Sequence, residues 1–190
     1  MPRDEDVVGV AAAVGAVGVG MAARAAERTI WVPAYIGLGS NVGDSRAAIG
    51  RALEVIGSWA DTRLVIRSSC YRTTPFGPVE RDPFINAAAG VLTHLAPGEL
   101  LTRLRTLERQ LGRAEKRVRW GPREIDLDLL VHGEWTVTSD ELVLPHPGIP
   151  ERDFVLYPLR DIAPHLRIPG MGVVHELASN VADRGIERLD

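Results

Sequence analysis

The chain has 190 residues, which is enough for one domain with a hydrophobic core and too few for two domains of ordinary size. Its formal net charge is −3, so no overall positive field points to nucleic acid as a partner. The single cysteine, Cys70, excludes an internal disulfide and favours a reducing compartment, the cytoplasm. We interpret Cys70 as a small core residue on a strand. No extended apolar surface segment argues for an obligate protein partner, so we expect a monomer.

Residues 1 to 30 differ in composition from the rest of the chain. Val7 to Ala23 is uncharged and rich in Ala, Gly and Val, and it reaches the lower length limit for a membrane span. Its four glycines and the acidic residues at positions 4 to 6 argue against a span and against a secretory leader. We therefore predict a disordered or loosely helical extension, no membrane association, and an ordered domain over residues 31 to 190. Translation starting at Met21, or a remnant of a fused domain, is an alternative.

The ordered domain begins with an alternation of short strand and helix patterns. A strand starts near Trp31, and the turn Gly39-Ser40-Asn41 ends it. This turn could cradle a phosphate, but it lacks a full glycine-rich fingerprint, and we interpret it as a tight connection. Asp44 or Ser45 can cap the helix that follows, which Gly57 closes. The later elements are a long strand from Thr62 to Tyr71, a strand from Phe84 to Leu95, a helix from Pro97 to Gly112 and a strand ending at Leu130.

The order strand, helix, strand, strand, helix, strand predicts a ferredoxin-like α+β fold of the βαββαβ type. Such a fold has an antiparallel sheet with both helices on one face, which leaves the other face free for a ligand. A hairpin from His132 to Thr136 and back along Leu142 to Leu144 should follow. Short helices and turns from Tyr157 to Asp190 should complete the domain.

The segment RWGPREIDLDLL, Arg119 to Leu130, contains the strongest chemical pattern. On a strand, Asp126 and Asp128 point to one side and the apolar residues between them to the other. The two carboxylates lie roughly 6.5 Å apart along the strand, from where they can reach a shared pair of Mg²⁺ ions about 3.5–4 Å apart. Basic residues crowd the preceding loop, and guanidinium groups beside metal-binding carboxylates are typical of phosphoryl transfer. A D-x-D pair alone is more often a solvated face or a set of salt bridges.

The loop from Arg72 to Pro83 and the strand after it hold candidate ligand contacts. Three prolines and a glycine restrict this loop, which is long enough to act as a lid. Phe76 at its tip either contacts a ligand or folds back on the core. Phe84 and Asn86 share a face, which suits a flat heteroaromatic ligand. Alternatively, Phe84 belongs to the core and Asn86 bonds the backbone.

Two further residues have an open interpretation. Glu108 lies near the C-terminus of its helix, where the helix dipole disfavours a negative charge. It either pairs with a neighbouring arginine or waits for a ligand hydroxyl. His146 lies between Pro145 and Pro147, which fix its backbone direction, although a lone histidine is usually structural.

Taken together, these segments resemble the 6-hydroxymethyl-7,8-dihydropterin pyrophosphokinase family of the folate pathway. The matching stretches are AYIGLGSN, SSCYRTTPFGP, FINAA, residues 108 to 113, RWGPREIDLDLL and LPHPGIPERDF. They follow the family's order and spacing over nearly all of Ala34 to Pro164. The resemblance implies transfer of the pyrophosphoryl group of ATP to the hydroxymethyl oxygen of the pterin, with release of AMP.

The resemblance also implies a role for each matching residue. Asp126 and Asp128 would hold two Mg²⁺ ions, and Arg113 and Arg123 would grip the phosphates as catalytic groups. The residues implied on ATP are Glu108, Arg113, Lys116, Trp120, Arg123, His146 and Arg152. The residues implied on the pterin are Thr73, Thr74, Phe76, Phe84, Asn86, Trp120 and Phe154, with the ring between Phe84 and Phe154.

Two rival functions use the same residues. A binding module would capture a nucleotide or pterin without producing AMP. A metal-dependent phosphohydrolase would release phosphate or pyrophosphate into water without an acceptor alcohol. The products formed from ATP, Mg²⁺ and the reduced pterin alcohol distinguish all three.

Overall fold

The computed structural model of the protein describes residues 30–73, 82–112 and 123–189. The predicted extension up to residue 29 lies outside these ranges, so the division of the chain at residue 30 stays a prediction. The tip of the loop from Arg72 to Pro83 and the basic loop before Arg123 also lie outside them. Among the described residues, no helix combines the length and the apolar character needed to cross a membrane.

The first half of the domain contains the predicted alternation of strands and helices. Its elements are β1 Val32–Ser40, α1 Ser45–Gly57, β2 Thr62–Arg67, β3 Tyr71–Thr73, β4 Phe84–Thr93, α2 Pro97–Gln110 and β5 Asp126–His132. The later elements are β6 Val137–Thr138, β7 Val143–Leu144, a 3₁₀ helix Ile149–Glu151, α3 Asp153–Ile162, β8 Arg167–Ile168, β9 Gly172–Val173, α4 Val174–Asn180 and β10 Glu187–Arg188.

The main sheet is antiparallel and has the order β10-β3-β4-β1-β5, with β2 also pairing with β4. Without the added β10, the order across the sheet is β2 or β3, then β4, β1 and β5. This is the ferredoxin-like arrangement that the sequence predicted. The predicted hairpin is present, but its first arm is β6, while His132 belongs to β5.

The long strand predicted from Thr62 to Tyr71 is divided into β2 and β3. Both pair with β4, and a bulge between Leu64 and Ile66 shifts the register of β2. Between the two strands, Ser68 forms two bonds with Ala88: its N–H donates to the carbonyl at 2.9 Å, and its Oγ accepts from the N–H at 2.9 Å. Cys70 is half-buried in this connection, so the interpretation of it as a strand residue was wrong.

Local chemistry explains where the two long helices begin and end. Asp44 caps α1, with its Oδ1 accepting from the Ala47 N–H at 3.0 Å. Helix α2 begins at Pro97, whose missing N–H costs nothing in a first turn. It is followed by Gly112 at φ +99°, a conformation that residues with a Cβ rarely adopt. Both predicted starts are confirmed.

Apolar residues cover both faces of the sheet, but with different partners. On one face, Ile36, Leu38 and Leu127 pack with the apolar sides of α1 and α2. On the other, Tyr35 and Leu130 pack with α3 and α4. The sequence predicted that this second face is free for a ligand. The structure shows instead that α3 and α4 cover part of it. The face predicted to take a ligand is therefore limited to the part beyond Tyr35, where β1 continues through Gly37 and Gly39.

His132, at the end of β5, is fully buried. Its Nε2 lies 2.9 Å from the Leu95 carbonyl oxygen, which can only accept, so Nε2 carries the proton. Its Nδ1 is buried and has no partner among the described residues. Burial lowers the pKa of His132, with the bond to Leu95 opposing this effect. The fold therefore selects the neutral ring.

Because its folded pKa lies below the unfolded value of about 6.5, His132 takes up a proton more readily in the unfolded chain. Its contribution to stability should be complete above that pH and be lost as pH falls, by up to about 1.4 kcal/mol per pH unit. We expect His132→Gln, whose amide can still donate to Leu95, to flatten the pH dependence of the urea midpoint between about pH 7.5 and 5. The exposed His165→Gln is the control. Equal slopes in the wild type and His132→Gln would contradict the prediction.

Candidate active site

Two rows of residues cross the sheet and form the floor of a cleft. Gly39 of β1 lies between Asn86 of β4 and Asp126 of β5. Two residues earlier, Gly37 lies between Ala88 and Asp128. Cross-strand neighbours point to the same face of a sheet. The polar side chains on β4 and β5 are thus separated by β1 residues that have no side chain.

Gly39 is where the lack of a side chain matters most. A Cβ at this position would lie 3.0 Å from Asn86 Oδ1 and 4.0 Å from the Asp126 Cβ. A Cβ at Gly37 would instead meet the Leu130 side chain at 3.4 Å, an ordinary contact. Of these two positions, only Gly39 must therefore lack a side chain for the floor of the cleft to stay open.

Asp126 and Asp128 face the same cluster of charges, as the strand alternation predicted. Arg123 Nη1 forms an ion pair with Asp126 Oδ2. Burial raises the pKa of Asp128, and the charge of Asp126 raises it further, while His146, Arg152 and Arg123 oppose this rise. The surrounding cations therefore do not fully offset the cost of holding two carboxylates together. Such a pair gains from a further positive charge.

His146 is oriented by its own backbone surroundings. Its N–H donates to the Leu130 carbonyl at 2.8 Å, which ties it to β5. Its Nδ1 accepts from the Gly148 N–H at 3.1 Å, so the neutral ring carries its proton on Nε2. Burial lowers the pKa of His146, and the charge of Asp128 opposes this. The neutral ring can then donate from Nε2.

The Arg152 guanidinium reaches the same cluster by crossing Gly148. A Cβ on Gly148 would lie 2.6 Å from Arg152 Cζ, so the two groups are in close contact. Arg152 Cζ also lies 5.7 Å from the centre of the Phe154 ring. The start of α3 therefore places a cation and an aromatic ring beside the carboxylates.

Asp153, which lies between Arg152 and Phe154 in the sequence, is buried. It accepts from the Phe154 N–H at 2.8 Å and from the Arg184 N–H at 3.0 Å.

A cavity of about 290 Å³ opens beside the carboxylates. Helix α2 contributes one wall, β5 a second, and the segment around β7 a third. The lining residues are Leu101, Arg105, Glu108, Arg123, Asp126, Leu127, Asp128, Leu129, Glu141, Leu142, Val143, His146 and Pro147. This volume is near the lower limit for small-molecule pockets. Its lining includes apolar side chains as well as the charged cluster.

Glu108 lies in this cavity wall and is 3% exposed. Its Oε1 accepts from the Leu127 N–H at 2.8 Å. The sequence suggested an arginine or a ligand hydroxyl as its partner and did not identify this backbone group, which is 19 residues away.

Asn41 is a site residue that sequence reasoning missed. Its N–H donates to the Arg123 carbonyl at 3.0 Å, and its Oδ1 accepts from the Arg123 N–H at 2.8 Å. Its Nδ2 also donates to the Asp82 carbonyl at 3.5 Å. The turn interpreted as a mere connection therefore holds the backbone of Arg123. The only signal in the sequence was an amide side chain directly after Gly39-Ser40.

Some of the residues expected to contact the pterin lie within the described ranges. Asn86 Nδ2 donates to Thr73 Oγ1 at 2.8 Å, and Phe84 pairs in register with Thr73. Phe84 and Phe154 are each half-buried. The other predicted site residues, Thr74, Phe76, Arg113, Lys116 and Trp120, lie outside the described ranges.

No group of three or more His, Cys, Asp or Glu side chains able to hold a metal occurs within residues 30–73, 82–112 and 123–189. Asp126 and Asp128 are thus a two-carboxylate donor set. Such a set leaves most coordination positions of a hard cation to other oxygen ligands, which suits Mg²⁺ bound together with a polyphosphate.

Comparisons with known proteins agree on one family. The family model described as 7,8-dihydro-6-hydroxymethylpterin-pyrophosphokinase (HPPK) matches residues 35–164. A protein of Methylorubrum extorquens named 2-amino-4-hydroxy-6-hydroxymethyldihydropteridine pyrophosphokinase is 45% identical over 157 residues, which is 83% of this chain and 98% of that protein. The protein of that name from Pseudomonas aeruginosa is 42% identical over 82% of this chain and 95% of its own length.

Solved structures support the fold. The crystal structure of Plasmodium falciparum HPPK-DHPS wild type with pteroate has a TM-score of 0.62 and 14% identity. The match covers 79% of this chain and 42% of that one, so the chain spans about two fifths of that longer protein.

The bonds between Asn41 and Arg123 predict a measurable effect on stability. Asn41→Ala leaves the Arg123 N–H without its acceptor, and we expect the free energy of unfolding to fall by about 1 to 3 kcal/mol. Urea denaturation measures this change. Asn180→Ala, at an exposed helix end, is the control, and equal stabilities of the two variants would contradict the prediction.

Proposed function

Because this chain belongs to the 7,8-dihydro-6-hydroxymethylpterin-pyrophosphokinase family, we propose that the cleft around Asp126 and Asp128 is its active site. The protein transfers the pyrophosphoryl group of ATP to the hydroxymethyl group of 6-hydroxymethyl-7,8-dihydropterin. The products are the pterin diphosphate and AMP, in a step of tetrahydrofolate biosynthesis. The observation that carries the site assignment is the convergence of two carboxylates, two arginines and a histidine on one open part of the sheet.

Asp126 and Asp128 would hold two Mg²⁺ ions. Their mutual repulsion and the raised pKa of Asp128 support this assignment, because bound cations would relieve both. When bound, the ions would neutralise charge on the triphosphate and align it with the acceptor hydroxyl. The protein's own part is to keep the two carboxylates on one face at a fixed spacing.

Arg123, His146 and Arg152 would bind the phosphate oxygens. Arg123 is paired with Asp126 in the structure, so it would exchange one oxygen anion for another when the triphosphate enters. His146 would donate from Nε2, since Nδ1 is occupied by the Gly148 N–H. Arg113 and Lys116 would add positive charge from the basic loop. Phosphoryl transfer depends on such preorganised charge more than on covalent chemistry by the protein.

The nucleoside of ATP would occupy the cavity between α2, β5 and β7. The cavity is lined by Leu101 and Leu142 as well as by Asp126 and Asp128, so it offers apolar surface for a base beside the groups proposed for the phosphates. Glu108 lies in its wall and is placed for a ribose hydroxyl. Trp120 would close over the site.

The pterin would lie on the β4 side of the cleft. Asn86 offers both a donor and an acceptor to a ring edge and is held in place by Thr73. Phe84 and Phe154 would stack on the two ring faces. Thr74 and Phe76 would add contacts from the loop after β3.

We further propose that the enzyme acts as a cytoplasmic monomer on these small molecules, without nucleic acid. The negative net charge and the single cysteine support this proposal.

The metal assignment predicts a large loss of activity. Asp126→Ala and Asp128→Ala should each keep the fold and lower the rate of AMP formation by several orders of magnitude, because the site would lose a carboxylate proposed to hold the cations. Mass analysis of nucleotide and pterin products after incubation with ATP, Mg²⁺ and the reduced pterin measures this directly. Asp140→Ala, on the exposed hairpin loop, is the control. A rate close to that of the wild type in either site variant would refute the assignment.

The floor of the cleft predicts a difference between two glycines on one strand. Gly39→Ala would place its Cβ against Asn86 Oδ1 and turn the amide away from Thr73. We expect its KM for the pterin to rise about tenfold or more, since a buried polar contact is lost. Gly37→Ala, whose Cβ meets only Leu130, is the matched control and should keep the wild-type KM. Equal KM values for the two variants would contradict this role of Gly39.

A further inference from the structure

Glu108 occupies a position that disfavours a negatively charged side chain for two reasons. It lies in the last turn of α2, where the helix dipole is negative, and its side chain is removed from water. An apolar residue there would continue the stripe of Leu100, Leu104 and Leu107 without either cost. A carboxylate in this position calls for a specific partner.

The described partner is the backbone of the metal-binding strand. Glu108 Oε1 accepts from the Leu127 N–H at 2.8 Å, and Leu127 is the residue between Asp126 and Asp128. Among the described residues, β5 is the end strand of the sheet and pairs with β1 alone. The N–H groups on its outer edge therefore face no further strand within this part of the chain. Glu108 supplies an acceptor at the one position that both carboxylates flank.

We propose that Glu108 is a positioning residue for Asp126 and Asp128: it fixes β5 through Leu127 and thereby aims both carboxylates at the cations. This inference rests on the proposed active site and is separate from the placement of Glu108 beside the nucleoside. On a strand, a rotation or shift at one residue redirects the side chains on both sides of it. A charged acceptor is suited to this task because it forms the stronger hydrogen bond with an amide.

Two substitutions separate positioning from nucleoside contact. Glu108→Gln keeps an acceptor oxygen for the Leu127 N–H, whereas Glu108→Ala removes it. In Glu108→Ala, we expect Leu127 amide hydrogen exchange, followed by NMR, to accelerate about tenfold or more, as befits one lost buried hydrogen bond. The Mg²⁺ concentration for half-maximal activity should rise and kcat should fall at saturating ATP. Glu108→Gln should keep the protection of Leu127 and the wild-type Mg²⁺ dependence.

Glu99→Ala is the matched control on the same helix. Glu99 Oε2 accepts from the Ala96 N–H at 3.0 Å, so its removal also breaks a bond between a glutamate and the backbone. It should lower stability without changing Leu127 exchange or the Mg²⁺ dependence.

Two outcomes would overturn the inference. One is an unchanged exchange rate at Leu127 in Glu108→Ala, with only the KM for ATP raised. The other is loss of Leu127 protection in a folded Glu108→Gln protein. The exchange measurement needs no turnover, so it reports on Glu108 even if the wild type were to form no AMP, a result that would instead refute the proposed function.

Discussion

The site depends on two carboxylates that repel each other. Asp126 and Asp128 point the same way from one strand, and the loss of contact with water raises the pKa of Asp128. Arg123, Arg152 and His146 reduce this cost without removing it. The remaining imbalance is useful in a phosphotransferase, because a carboxylate pair fully matched by arginines would have little affinity left for metal ions. The surrounding structure keeps the two carboxylates and the basic side chains around them in this arrangement.

Two backbone contacts fix the segment that carries these charged groups. Asn41 bonds both backbone groups of Arg123, and Glu108 bonds the N–H of Leu127. Both contacts act on the backbone of the segment that carries the charged groups. They leave the side chains of Arg123 and Asp126 able to change partners while their starting points stay fixed. Gly39 has the complementary role of keeping the space above the floor open.

Local patterns predicted the parts of this structure that depend on local periodicity. The alternation along β5 placed Asp126 and Asp128 on one face, and Pro97 marked the first residue of α2. The pattern could not reveal the break between β2 and β3, since the alternation of the sequence continues through residues 68 to 70, where the chain leaves the strand conformation. The partners of Asn41 and Glu108 lie 82 and 19 residues away, and no period in the sequence encodes such distances. The packing of α3 and α4 over part of the second face also depends on tertiary contacts, which local patterns do not encode.

The row from Asn86 through Gly39 to Asp126 also has a consequence for which alcohols can react. Adjacent strands are separated by a nearly constant distance, so the backbones of Asn86 and Asp126 lie about 10 Å apart, two strand spacings. If the heterocycle is held at Asn86, its reactive oxygen must cover the rest of that span. Backbone hydrogen bonds on both sides of β1 prevent the sheet from widening to suit a longer arm. With the pterin and the phosphates placed as proposed, the spacing of the strands would set how long the arm of the acceptor alcohol can be.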